Sequence, residues 1–241
     1  LSYAVQVGIN GYDVNDGVAD WDYQNLGLFI QDTWAVNTNL TLTYGMRMSF
    51  VDHLGPRSRI TFPFSWGGER QARVQLERAF TRGPVDRLAA EGGIRRRENP
   101  HFEIGDTRTF VEARVESAIQ RWLRVGAGGG VEDVAFGEVT DRLARAAGDV
   151  TVDTRVDPAF PRNAVHATFG IERLSFETGK ANRRNADLRG YLGLFGQSVL
   201  AVRAMTLTAT APLPNYEKAL LGGAATLRGY EVGYRADDNI A

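Results

Sequence analysis

Apolar and polar residues alternate along much of this chain with a period of two, and few folds accept such a pattern. In TNLTLTYGMRMSF (38–50), Leu40, Leu42, Tyr44, Met46, Met48 and Phe50 take one side, and Asn39, Thr41, Thr43, Gly45, Arg47 and Ser49 the other. RSRITFPFSW sets Ile60, Phe62, Phe64 and Trp66 against Arg59, Thr61, Pro63 and Ser65. QARVQLERAF opposes Ala72, Val74, Leu76 and Phe80 to Arg73, Gln75 and Glu77, with Arg78 out of step. RTFVEARVES opposes Val111, Ala113 and Val115 to Arg108, Glu112, Arg114 and Glu116, with Phe110 out of step. QRWLRVGAGGGVED and NADLRGYLGLFG follow the scheme less regularly. Successive side chains of a strand point to opposite faces, so each run is read as a strand with one apolar face.

Turn-forming segments such as AVNTN, TRGPV, NPHFEIGD, DPAFPRN and TGKANRRN separate the runs. About a dozen strands of roughly 9–14 residues result, with no substantial helix. VTDRLARAAG (139–148) breaks the alternation, could form a short helix, and is expected to be a loop. Strands of a soluble sandwich usually run to about 5–6 residues, whereas a tilted strand needs about 9–11 to cross a bilayer.

Composition narrows the setting. The chain has 241 residues, formal net charge −1 and no cysteine. That neutrality argues against nucleic-acid binding. The missing thiols exclude disulfide frameworks and thiolate metal sites. No apolar run approaches the roughly 18 residues of a membrane helix, so any membrane contact must be made by strands. The polar face holds Arg87, Glu91, Arg95, Arg114, Glu116, Arg124, Gly126, Gly128, Asp187 and Arg189, as a barrel lumen filled by paired charges would. Trp21, Trp34, Trp66 and Trp122 lie near strand ends, where interface girdles form. These features point to an all-β antiparallel transmembrane β-barrel, partial, of about a dozen strands. A soluble β-sheet binding domain is the bland alternative.

LLGGAATLRGYEVGYR (220–235) sets one arginine among glycines and aromatics. Gly222, Gly223, Gly229 and Gly233 permit positive φ or close backbone approach. Arg228 offers a five-donor fork suited to a carboxylate or carbonyl at a buried site. The stretch reads as a loop that folds back and docks.

VDTRVDPAFPRNAV (152–165) and GGAATLRGYEVG (222–233) resemble two stretches of the barrel of the BamA-like bacterial surface antigen superfamily. VDTRVDPAFPRNAV (152–165) is similar to the family's strand-opening motif D-x-R-x-[DN]-P-x-x-P-x-x-G. Asp153, Arg155, Asp157, Pro158 and Pro161 match, and Ala164 stands where glycine is common. GGAATLRGYEVG resembles the family's [VIL]-R-G-[FY] loop through Leu227, Arg228, Gly229 and Tyr230. The resemblance implies an outer-membrane protein that inserts barrels or exports polypeptides. Its partners would be outer-membrane lipid, unfolded outer-membrane or secreted polypeptides, and periplasmic or lipoprotein subunits. It also implies that loop 212–240 tucks into the lumen, with Arg228 as anchor and Tyr230 beside it. Glu116, Glu172 and Asp187 are the candidate acceptors within this chain. The family's receiving strands would follow residue 241 and its POTRA repeats would precede the barrel, so a segment of a longer barrel is expected.

DYQNLGLFIQDTWAVNTNLTLTYGMRMSF (22–50) resembles a hairpin of a TonB-dependent receptor barrel, of the Oar-like kind. Residues 1–54 are accordingly assigned to strands of that type and 55–241 to the surface-antigen segment, joined near HLGPRS (53–58). A TonB-dependent transporter barrel is thus the second functional expectation.

No enzyme chemistry emerges. His53, His101 and His166 are scattered, and neighbouring Asp52 and His53 would point to opposite faces of a strand. His166 and Glu172 could share a lumen face, where polar residues need no catalytic role. GAGGG (126–130) lacks the helix and lysine of a phosphate loop and reads as a strand that allows close backbone approach. Neither a metal site nor a cofactor is expected.

Overall fold

Alternation becomes architecture through an unbroken chain of hairpins. The computed structural model describes residues 3–8, 25–37, 40–223, 226–227 and 229–240, with side chains from Met46 onward. Among the described residues, twelve strands make the main sheet, beginning with Tyr3–Gly8 (β1), Asn25–Asn37 (β2), Leu40–Val51 (β3), Ser58–Trp66 (β4), Glu69–Ala79 (β5) and Arg87–Asn99 (β6). They continue with Ile104–Gln120 (β7), Leu123–Phe136 (β8), Val139–Asp153 (β9), Ala164–Phe176 (β10), Gly179–Gly193 (β11) and Val199–Ala209 (β12). All belong to one sheet in sequence order, each antiparallel to the next, with β1 and β12 as its two edges. This is the expected all-β partial barrel. The junction proposed near residues 53–58 falls in the β3–β4 turn, and the sheet runs through it with Phe50 opposite Ile60.

One sequence expectation is corrected. Residues 139–148 are neither loop nor helix but the first two-thirds of β9, paired with β8 through Leu143–Glu132 and with β10 through Arg145–Leu174. The alternation is hidden there because polar residues face both ways near the strand's end. Asp141 and Arg145 turn inward, while Arg142 turns outward to Asp133.

Register fixes which face is which. On β7, Asp106, Arg108, Phe110, Glu112, Arg114 and Glu116 face inward, and Val111, Ala113 and Val115 face outward together. Following the pairing around the sheet gives an outer surface of Met46, Phe64, Leu76, Leu88, Ile94, Val111, Val131, Val150, Phe169, Ile171, Leu188, Leu192 and Val202, all exposed. The inner surface carries the charges. Both steps that seemed out of place now fit. Phe110 is 6% exposed on the inner wall under the Arg95 guanidinium, and Arg78 stacks on Phe80 at a strand end.

Outward charges lie near the turns, Arg70, Arg96, Asp133, Arg142, Arg173 and Arg184 toward one end of the strands and Arg78 at the other. Between the rims the outer face is uncharged, as over Leu123–Val131 on β8. Nine such residues at about 3.3 Å each, tilted by ~40°, span roughly 23 Å, close to the apolar band of a membrane barrel. Trp66 and Trp122 sit exposed at opposite ends, Trp66 beneath Arg70. Trp21 lies outside the described residues and Trp34 outside the described side chains.

Candidate functional site

After β12 the chain turns back into the barrel at residues 210–221. Leu213 and Tyr216 join Val134, Phe136, Leu143, Leu174 and Ala181 in an apolar cluster that closes one end of the lumen. Phe102 and Phe136 meet edge to face at 5.8 Å, and Phe136 tilts against Tyr216 at 6.4 Å. A single 3-10 turn, Asn215–Glu217, then directs Glu217 further inward.

Glu217 enters a cluster of arginines contributed by three strands. Its carboxylate accepts from Arg108 Nη1 at 2.8 Å and Arg183 Nη1 at 3.3 Å, with Arg145 Nη2 at 3.6 Å. Arg108, 4% exposed, also donates to Asp106 at 2.9 Å, Glu132 at 3.1 Å and the Tyr216 carbonyl at 2.6 Å. Arg145 reaches Glu132 at 2.7 Å and Glu172 at 3.2 Å, and Arg183 reaches Glu172 at 2.5 Å. Arg97 completes the network on Asp106 at 3.4 Å. Among these residues the strands supply four arginines and three carboxylates, and the returning segment supplies the fourth carboxylate. Buried charges are tolerated only when paired, so docking the segment neutralises the wall.

Tyr216 donates its hydroxyl to Asp141, and its ring lies 5.7 Å from the Arg108 guanidinium carbon. Burial, followed by that hydrogen bond, holds the phenol well above its ordinary range. Beyond the turn, Ala219–Leu221 (β13) pairs with Arg235–Asp237 (β14) as the two arms of a hairpin. The chain then closes onto β12 through mutual Leu207 and Ile240 hydrogen bonds of 2.8 and 2.7 Å.

Part of the remaining inner wall is paired as well. Arg114 bridges Glu116 at 2.9 Å and Asp149 at 2.6 Å, and Arg87 joins Glu116 to Glu77. Asp187 is held by Arg189 at 2.7 Å and Arg203 at 2.8 Å. The glycine-rich stretch of β8 makes this possible. A Cβ at Gly126 would collide with the Arg114 guanidinium, and one at Gly130 would meet the Val111 carbonyl at 2.5 Å. A cavity of about 400 Å³ remains, lined in part by Gln75, Glu91, Glu112, Arg114 and Glu172.

The sequence-derived site residues fall in two places. Arg228 lies outside the described residues. Its neighbours Leu227 and Tyr230 are exposed at the hairpin tip, Tyr230 tilted against Tyr234 at 4.5 Å, and Gly229 has φ +92°. Gly222, Gly223 and Gly233 all have positive φ, and a Cβ on Gly233 would press on Pro100 and His101 at 2.9 Å. His101 Nδ1 lies 2.7 Å from the Gly233 carbonyl, fastening the tip to the β6–β7 turn. Of the expected acceptors, Glu116, Glu172 and Asp187 each already hold guanidinium groups of the wall. Among the described residues, Glu217 ties the returning segment to the arginines of the wall, beside the packing of Leu213 and Tyr216. Sequence reading passed over it because NYEK contains no motif. The available signal was the excess of inward arginines over carboxylates.

At the other end of the barrel, Asp153 and Arg155 form a two-pronged pair at 2.9 Å, and Asp157 caps Ala159 N–H at 2.8 Å ahead of Pro161. Pro158 follows in the same turn. Arg162 ties this loop to the β11–β12 turn through the carbonyls of Gly196 (2.6 Å) and Leu194 (2.8 Å). The motif thus orders a turn between strands. Asp52 lies in a turn with φ +59°, while His166 and Glu172 share the inner face of β10.

A polar lumen inside an exposed apolar wall defines a β-barrel of membrane type. Among solved structures, the chain is similar to the crystal structure of BamA from Haemophilus ducreyi lacking POTRA domains 1–3, with a TM-score of 0.70 and 11% sequence identity. The likeness covers 96% of this chain and 51% of the BamA chain, so this chain spans about half the length of its structural neighbour. No protein-family model and no curated protein sequence matches it. The fold is therefore that of a BamA-like barrel.

Proposed function

We propose that this chain is the barrel segment of a non-enzymatic bacterial outer-membrane factor that inserts or exports polypeptides. The observation that carries this reading is an outer wall suited to lipid around a lumen already occupied by a polypeptide, the chain's own segment 211–221. A pore for small solutes would favour an open aqueous lumen, whereas here a buried ionic network and an apolar plug grip a peptide. Its partners would be outer-membrane lipid, unfolded outer-membrane or secreted chains, and periplasmic or lipoprotein subunits. Within this reading, the Leu227–Tyr230 loop is an anchor for strands of the longer barrel. The Asp153–Pro161 turn would hold strand order at the opposite end.

The test is reconstitution. The full-length protein, placed in liposomes, should accelerate folding of a urea-unfolded outer-membrane barrel relative to empty liposomes of the same lipid. An unchanged folding rate, with the reconstituted barrel itself folded, would remove the assembly role.

A further inference from the structure

Glu217 is bound as a ligand is bound. Three guanidinium groups from separate strands converge on its carboxylate, and two of them also read the backbone beside it. Arg108 Nη2 donates to the Tyr216 carbonyl at 2.6 Å, and Arg183 Nη1 lies 3.4 Å from the Glu217 carbonyl. The Tyr216 side chain fills an adjoining apolar wall formed by Phe136, and Arg108 lies over its ring. A free anion would satisfy the charges but neither the carbonyl contacts nor the aromatic wall. Arginine suits this task because its planar fork serves two acceptors at once. The site is built into the wall, since Arg108 is fixed from behind by Asp106 and Glu132, with Asp106 1% exposed. A second cavity of about 300 Å³, lined by Arg95, Phe110 and Lys218 among others, adjoins the site and gives it an approach from the lumen.

We propose that Arg108, Arg145 and Arg183 form a peptide-carboxylate receptor in the lumen, specific for a glutamate preceded by an aromatic residue. Glu217 occupies it in cis. When the returning segment leaves, the strand wall holds one positive charge without its counter-ion, so the site favours a peptide glutamate presented in the same way by another chain. A polypeptide crossing or entering the barrel would then exchange with residues 215–218 at this receptor. That biological role rests on the polypeptide-handling function proposed above, although the binding chemistry does not.

The experiment uses the full-length protein in lipid nanodiscs and a fluorescent peptide, APLPNYEKALL, copying residues 211–221. The peptide should bind the Glu217→Ala protein at least about ten-fold more tightly than wild type, whose receptor is filled. Replacing the peptide's glutamate by glutamine should weaken binding by about ten-fold or more, as should Arg108→Lys in the protein. Should Glu217→Ala prevent folding, Glu217→Gln, which keeps the side chain's volume without its charge, takes its place and should discriminate between the two peptides in the same way. Equal binding of the glutamate and glutamine peptides to the folded barrel overturns the receptor, as does absence of binding to either variant. Liposome folding assays on the same preparations report the assembly role separately, so each idea can fail without the other.

Discussion

Gly126 and Gly130 show how single residues set the lumen's chemistry. Both face inward on β8, between the charged strands β7 and β9; the missing side chain of Gly126 lets Arg114 lie across β8 to Asp149, and that of Gly130 leaves room for the Val111 carbonyl and Glu112. Gly130→Ala should cost about 1–3 kcal/mol, because its Cβ would meet backbone that cannot give way. Gly126→Ala should cost less, since it meets the mobile end of a side chain, but it should displace Arg114 from Asp149. Urea unfolding in lipid vesicles checks both, and equal costs would contradict this packing. Tyr216 supplies a pH dependence. Its phenol is raised by burial and by Asp141 above the ordinary value near 10, so the docked ring stays neutral where a released one ionises. Its contribution is complete below about pH 10 and fades as pH rises past it. Protease cleavage within 211–221 should therefore increase above about pH 10, and Tyr216→Phe should flatten that rise.

Among the elements, the strands' position relative to the apolar band decides what a substitution costs. Ala113 lies near the middle of β7 on the outer face, whereas Leu192 is the penultimate residue of β11. An arginine at Ala113 should cost about 2–4 kcal/mol, and one at Leu192 far less, because it can reach the headgroup layer. Similar costs at the two positions would reject the placement of the band. The returning hairpin is an element of another kind, held at Leu213 and Tyr216 by packing, at Glu217 by charge and at Ile240 by backbone pairing. Removing the Glu217 carboxylate leaves the arginine cluster short of one negative charge. In Glu217→Gln the segment should therefore become protease-sensitive at urea concentrations at which the strands, held by their own ladders, are still folded.

At the scale of the molecule, polarity is inverted relative to a water-soluble domain. Between the rims the charges are inside, many of them paired, and large apolar side chains such as Phe169, Ile171 and Val202 cover the outside. Such a surface is far larger than the apolar patches that soluble monomers expose. The protein should fractionate with outer membranes and remain monodisperse only in detergent or lipid, as size-exclusion chromatography with and without detergent would show. A stable monomer in buffer alone would overturn the lipid-facing assignment.

Much of this was legible from side-chain order. The period of two on RTFVEARVES placed Val111, Ala113 and Val115 on one face and Arg114 and Glu116 on the other, because a strand has only two faces. The glycines at 222, 223 and 233 announced positive φ before any coordinates. Sequence reading failed wherever identity depends on a distant partner. VTDRLARAAG looked irregular until β8 and β10 supplied the ladders that make it β9, and Phe110 looked misplaced until Arg95 covered it. Glu217 is the clearest case. Its role comes from Arg108, Arg145 and Arg183, 34 to 109 positions away, which no local pattern connects to it. Local order determined strands, faces and turns, since these follow from neighbouring side chains and backbone geometry. Tertiary structure alone decided the ionic lock, because the charge balance of a lumen exists only after the strands have curled around it.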